Sequence, residues 1–273
     1  MGCLNSLAGF LFTALHRFPS LAGVLPAVLA LSISVARAGD DPLQETTEEY
    51  FPLVRDGAVT VENTDGSIHL YGWNEPRLRL SALCKAYTAS RLHQIRVETT
   101  TRPAALTVHT IVPEVSGIFA DRSGTMDYTL TVPEMARLQL KLANGDVTLQ
   151  GLRGGSARIE LGNGRITALN CYARVQAHAV NGVLEIIYEW WENLPAAFDC
   201  ALQQGKIAAR LPGNARFAVD AATANGWIHN EFRFHPPPRV DPGQSLRATT
   251  GPDAEVSLGL RTGRGNISLD ALP

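Results

Sequence analysis

The feature that most restricts what this chain can become is a glycine that returns with the same neighbours. A polar residue, a glycine and, two residues on, an aliphatic recur at Gly66-Ser67-Ile68, Gly145-Asp146-Val147, Gly164-Arg165-Ile166, Gly205-Lys206-Ile207, Gly226-Trp227-Ile228 and Gly265-Asn266-Ile267, with Gly182-Val183-Leu184 a looser copy. Five residues before each glycine stand Val61, Leu140, Ile159, Ala177, Cys200, Ala221 and Leu260; seven before stand Val59, Leu138, Ala157, Val175, Phe198, Val219 and Leu258. All are apolar, and the residues between them are mostly polar or small. Period-two alternation on both sides of a turn marks strands with one buried face. Asn precedes the glycine at Asn144, Asn163, Asn181 and Asn225. Asn and Gly are the residues expected to supply a left-handed backbone at such a turn.

Two folds share this local pattern. Asn-Gly between alternating strands is a strong hairpin signal, and a two-residue turn at Asn144-Gly145 would pair Leu142 with Val147 and Leu140 with Leu149. The other fold is a solenoid, in which the same offsets stack from coil to coil. Successive glycines from Gly145 to Gly226 lie 19, 18, 23 and 21 residues apart, near one coil of a β-helix, which favours the solenoid. The stretches Arg77–Leu80, Ile95–Thr99, Leu106–Ile111 and Tyr128–Val132 also alternate, and no long amphipathic helix is legible. The expected fold is all-β: a single-stranded, right-handed β-helix or solenoid-like stack of short strands with Asn-Gly turns.

The organisation along the chain is expected to be a signal peptide over 1–38, a flexible lead-in over 39–56 and one β-strand-repeat domain over 57–273. His16 and Arg17 precede an uncharged run from Leu21 to Val35, and Ala36-Arg37-Ala38 places small residues where a signal peptidase reads. Pro26 weakens a membrane-spanning reading of the run, so contact with the membrane is expected only if the segment stays uncleaved. Loss of Arg17 and Arg37 leaves 22 basic against 26 acidic side chains, a net charge of −4. That balance argues against nucleic acid as a partner. Residues 40–50 are acidic and polar, and 235–243, with four prolines, reads as a loop within the domain. Three cysteines remain after 1–38. Export permits a disulfide, for which Cys171 and Cys200 are the nearer pair; buried free thiols fit equally.

The chain also resembles a known group, the bacterial "putative adhesin" family of β-strand-repeat proteins of unknown function, related to the head-GIN domain proteins. The resemblance is carried by Val59-Thr60-Val61-Glu62-Asn63-Thr64-Asp65-Gly66-Ser67-Ile68-His69-Leu70, by Gly72-Trp73-Asn74, by Tyr128-Thr129-Leu130-Thr131-Val132-Pro133, by Leu138 to Val147, and by Leu260 to Ile267. It spans Gly57 to Leu269 and implies a β-helix or roll, an envelope location and no assigned chemistry. It carries over no catalytic or ligand residues, and the fold alone does not give a function.

Few side chains suggest chemistry. The acids Asp65, Asp146, Glu160, Glu185 and Asp220 are scattered, with no offset selecting the carboxylate pair that polysaccharide cleavage needs. His69 and His229 both fall three residues after a repeat glycine, but in distant coils, without an accompanying metal motif. His109 and His178 read as ordinary surface or core histidines. Neither a nucleophile elbow nor a phosphate loop appears, and no cofactor or metal is expected. The most unusual stretch is Tyr188-Glu189-Trp190-Trp191, which lengthens one coil. Alternation would bury one Trp and expose the other, giving a partner-binding surface at Tyr188, Trp190 and Trp191; alternatively the aromatics cover an open edge. The function expected is a non-enzymatic, exported envelope protein that binds or scaffolds an envelope protein or glycan. The alternative is an enzyme or accessory module acting on envelope or extracellular polysaccharide.

Overall fold

The repeat glycines form one continuous row across the molecule. The computed structural model describes residues 30–34, 41–114, 121, 123–234 and 244–273. Five long strands, β3 (Ala58–Trp73), β8 (Arg137–Gln150), β9 (Arg153–Leu169), β10 (Tyr172–Ile187) and β11 (Ala196–Pro212), run through their glycines without reversing. They pair in parallel and in register, Gly66 beside Gly145, then Gly164, Gly182 and Gly205. The solenoid is therefore the fold, and the Asn-Gly pairs are bends inside coils rather than hairpin ends.

The bend demands glycine for two separate reasons. Gly145 has φ +131°, and a β-carbon there would lie 1.7 Å from the carbonyl oxygen of Gly66. The same approach recurs up the row, 1.8 Å at Gly164 and 1.7 Å at Gly182. The asparagines have a different role from the one expected. Asn144, Asn163 and Asn181 are not among the residues of positive φ. Their side chains stack: Asn181 Nδ2 donates to Asn163 Oδ1 (2.9 Å), Asn163 Nδ2 to Asn144 Oδ1 (2.8 Å), and Asn144 Nδ2 to Asp65 Oδ1 (2.8 Å). A primary amide fits the inter-strand spacing, donating down and accepting from above.

All fourteen apolar residues five and seven positions before the glycines are buried. Facing them across each bend are Ile68, Val147, Ile166, Leu184, Ile207 and Ile267, also buried, which closes one core along the stack. The coils at either end do not follow chain order. On one side of β3 lie β6 (Ala105–Ile111) and β7 (Thr125–Pro133), which together make one split coil. The antiparallel strands β4 (Arg77–Ala86) and β2 (Leu43–Pro52) extend that end, and β5 (Arg96–Arg102) pairs with β6. At the other end β15 (Val256–Arg264) inserts between β11 and β12 (Phe217–Asn225), and β16 (Ile267–Leu272) inserts between β11 and β13 (Ile228–Asn230). The antiparallel β14 (Ser245–Thr249) finishes the sheet.

Two expectations need correction. Leu43–Pro52, part of the stretch read as a flexible lead-in, is a strand paired with β4 over its whole length. Phe51 and Leu53 are buried, and Arg79 donates two 3.0 Å hydrogen bonds to Glu48, so an acidic face that looks loose in sequence has partners waiting across the sheet. Cys84, Cys171 and Cys200 are free thiols, all buried. In the β10–β11 register Ala177 is opposite Cys200. Cys171 is six residues back from Ala177, roughly 20 Å of strand and far beyond disulfide reach. Among the described residues the one helix is short: α1 (Ala89–Gln94), capped by Thr88, whose side chain accepts from the Arg91 amide at 3.2 Å. The segment read as a signal peptide lies outside the described residues except for β1 (Ala30–Ser34), which pairs antiparallel with β2. The proline-rich loop 235–243 also lies outside them.

Candidate functional site

The lengthened coil builds a surface at one edge of the stack. β10 ends at Ile187 and β11 begins at Ala196; the eight residues between are anchored from below by the preceding turn. Asn170, at φ +49°, presents its amide to Glu189: the Glu189 N–H donates to Asn170 Oδ1 (2.9 Å), and Asn170 Nδ2 donates to Glu189 Oε2 (3.1 Å). Tyr172 Oη accepts from the Glu192 amide at 2.8 Å and donates to the Trp190 carbonyl at 3.2 Å.

The three aromatic residues picked out in sequence have three different places. Tyr188 is fully buried and its hydroxyl donates to the Cys171 carbonyl; burial drives its ionisation far above the usual phenol range. It is a core residue and offers no contact to a partner. Trp191 packs edge-on against Tyr188 (ring centroids 5.4 Å) and Tyr172 (6.4 Å), with its buried indole N–H unpaired. Trp190 is 49% exposed. One Trp turns in and its neighbour turns out, but not by strand alternation: both lie in the loop after β10, and Tyr188, two residues before the exposed Trp190, is buried.

Trp190 is also held in place. Its Nε1 donates to Glu192 Oε1 at 2.8 Å, and Arg153 grips both oxygens of that carboxylate at 2.5 and 2.7 Å. The hydrogen bonds from Arg153, with help from Trp190, hold the Glu192 carboxyl down at about 2. Arg153 also lies 4.0 Å from Glu134, beside the exposed Met135. Farther along this edge, Trp73 donates through Nε1 to the Arg77 carbonyl at 2.8 Å, and the Arg77 guanidinium lies 5.2 Å over Trp73 and 5.5 Å over Tyr50. The result is an edge strip of Trp73, Met135 and Trp190 whose charged neighbours are paired with one another. Sequence singled out the Trp190 end; Arg153 and Glu192 were missed because they lie 39 residues apart and meet only across the turn.

A second feature is a groove of about 1240 Å³ over β10, β11, β15, β12 and β14. Its floor is short side chains, Ala197, Ala218, Ser257 and Gly259 among them. Asp199 and Asp220 flank Gly259, since both are its register partners. Burial raises the Asp220 carboxyl, but the Arg247 hydrogen bond at 2.8 Å and the Arg261 charge at 3.0 Å outweigh it and leave it lowered. The other scattered acids are occupied too: Asp65 ends the asparagine row, Glu160 meets Arg158 at 3.3 Å, and Glu185 meets Arg210 at 3.2 Å. Asp146 does not join them. Of the histidines, His109 meets Glu62 at 3.3 Å on the surface and His178 is exposed. His69 and His229 do not meet, because β8, β9, β10, β11 and β16 stand between their strands.

The thiols show no sign of reactivity. Burial pushes Cys84 and Cys171 up to about 11, and Cys200, the deepest, higher still. Reactive cysteines are shifted the other way.

The family model for Toastrack DUF4097 matches residues 50–270, from within β2 to within β16. The chain belongs to that family. The match begins inside the region read as a lead-in, in agreement with its strand. Among solved structures, a "putative cell adhesion protein" from Clostridium sporogenes is 12% identical, with 85% of this chain and all of that one covered, at a TM-score of 0.50. A "putative adhesin" from Bacteroides fragilis is also 12% identical, covering 82% of this chain and 96% of that one, at a TM-score of 0.31. At such identity the first of these shows a shared fold and nothing finer. No curated protein sequence matches the chain.

Proposed function

We propose that this Toastrack protein is a non-enzymatic, exported envelope module that binds or scaffolds an envelope protein or glycan through the edge around Trp190. The observation that carries the reading is Trp190 itself: a half-exposed indole fixed by Glu192 and Arg153. An aromatic face already held in place loses little freedom on binding, and sugar rings and apolar side chains both stack on such faces. Export rests on the leader-like segment 1–38; among the described residues no helix is long and apolar enough to cross a membrane. The periplasm or the cell surface is the location that follows.

The polysaccharide-cleaving reading has one observation in its favour, the two carboxylates flanking Gly259 in the groove. Such chemistry needs one carboxyl to arrive protonated, and Asp220, held ionised by two arginines, is unsuited to that part.

One experiment addresses both readings. The purified protein is incubated with envelope glycans and envelope extract, retained material is identified, and reducing ends are assayed in the same tubes. Retention that falls at least tenfold in Trp190→Ala, without reducing-end release, is the expected result. Unchanged retention in Trp190→Ala would overturn the site, and release of reducing ends would overturn the non-enzymatic reading. Trp191 is unsuitable for this test because it is packed into the core and its truncation would disturb the fold.

A further inference from the structure

His229 has two partners that its place in the sequence does not reveal. On β13 and just beyond, His229 and Glu231 are two residues apart and project from the same face. Asn230 between them pins the backbone, donating to the Phe232 carbonyl at 2.8 Å and accepting from its amide at 3.1 Å. The parallel neighbour β16 brings Asp270 alongside, because Asn230 pairs with Leu269 and the Glu231 amide donates to the Leu269 carbonyl at 3.0 Å. One donor atom from each of His229, Glu231 and Asp270 lies within 4.8 Å of the other two.

We propose that His229, Glu231 and Asp270 form a binding site for a divalent transition-metal ion, Zn2+ being the best match. The His229 Nε2 to Glu231 Oε1 distance is 3.5 Å. That is within the roughly 3.3–3.6 Å edge of a tetrahedron whose corners lie about 2.0–2.2 Å from zinc. One imidazole and two carboxylates favour a borderline ion over calcium or magnesium, which prefer oxygen alone. Each carboxylate is steadied from outside the set. Glu231 Oε2 accepts the Ala271 amide at 2.9 Å, and Asp270 Oδ2 accepts the Ser268 hydroxyl at 3.1 Å. Outer contacts of this kind orient metal ligands. Among the described residues neither carboxylate is paired with a lysine or arginine; Arg210, beside Asp270 in register, turns its guanidinium to Glu185 at 3.2 Å. Two adjacent carboxylates with only a histidine for company make a site whose charge favours a cation. Three protein ligands leave a fourth position for water or for an oxygen of a bound partner. The ion would also clip the inserted strand β16 to β13, the narrowest pairing among the parallel coils.

The test uses the full chain, stripped with EDTA and titrated calorimetrically with Zn2+. One ion per chain is expected, with affinity falling at least about tenfold in each of His229→Ala and Glu231→Gln. A rise in melting temperature on adding Zn2+ should be seen in the parent protein and be absent from both variants. Both side chains are about half exposed, so the variants should fold; equal melting temperatures without metal check this. His69→Ala, on the far side of the intervening strands, should bind like the parent. Absence of Zn2+ binding by the parent, or binding that both variants retain undiminished, would overturn the site.

Discussion

The middle of the stack and its two ends are built from one repeat and solve different problems with it. In β8, β9, β10 and β11 the residue three before the glycine is Leu142, Leu161, Ala179 or Leu202, and each is buried against its neighbours. At the ends the same position is Asn63, Thr262 or Thr223, still buried but polar. Asn63 Nδ2 donates to the Met126 carbonyl at 2.8 Å, where the split β6–β7 coil has no continuous bend of its own. Thr223 Oγ1 donates to the Gly265 carbonyl at 2.8 Å, where β15 has slid in out of order. A middle coil meets a copy of itself on both sides and can be apolar throughout. An end coil meets something else, and Asn63 and Thr223 each satisfy a backbone carbonyl at the seam, whereas the buried Thr262 hydroxyl has no hydrogen-bond partner.

The sharpest way to break the comparison is to attack the glycine row in the middle. Gly164→Val forces a β-branched residue to φ +138° and places a β-carbon 1.8 Å from the Gly145 carbonyl oxygen. A loss of at least about 3 kcal/mol is expected in denaturant unfolding, since strain and overpacking act together. Gly154→Ala is the control. Its φ is +76° with open space around the site, so only the backbone term of about 1–2 kcal/mol should appear. Equal losses in the two variants would mean that close stacking is not what fixes the row.

A smaller effect should separate the middle from the C-terminal end. Asn163→Ala interrupts the amide row between Asn181 and Asn144 and should cost about 0.5–1.5 kcal/mol, measured by the same unfolding. Asn225→Ala, at the equivalent place in an end coil, removes no such row and should be close to neutral. A matching loss at both sites would show the row to be ornamental.

The smallest effect concerns the edge. The Glu192 carboxyl, partly buried, is lowered to about 2 by Arg153 and Trp190. A lowered folded-state pKa means that the contribution is present above the unfolded value of about 4.3 and fades as pH falls through the folded one. Trp190 emission should therefore hold steady from pH 7 to about pH 4 and shift only as pH approaches 2, with the shift lost in Glu192→Gln. A change centred near pH 4 would show that Arg153 does not grip the carboxylate in solution.

Much of this architecture is legible in the sequence, for local reasons. Alternation about each glycine places fourteen core residues correctly, because strand side chains alternate whatever the strand pairs with. The spacing separates solenoid from hairpins, because a coil needs about twenty residues and a hairpin does not. The inward and outward turn of Trp191 and Trp190 does not follow from that alternation, because both lie in the loop between β10 and β11. Nor does the burial of Tyr188, since a tyrosine reads equally as an edge residue or as a core residue with its hydroxyl satisfied, and the Cys171 carbonyl that satisfies it is 17 residues away.

The amino-acid sequence by itself determined the coil: its length, its bend, its buried rows and the need for glycine at one point. Tertiary structure alone decided the order of the coils and everything that depends on it. Nothing local states that β15 and β16 should insert beside β11 ahead of β12 and β13, or that β2 should find β4. Interchangeable coils carry interchangeable patterns, so the pattern within a coil does not name its neighbour. The out-of-order insertion of β16 brings Asp270 to His229, whereas Arg153 meets Glu192 across coils stacked in chain order.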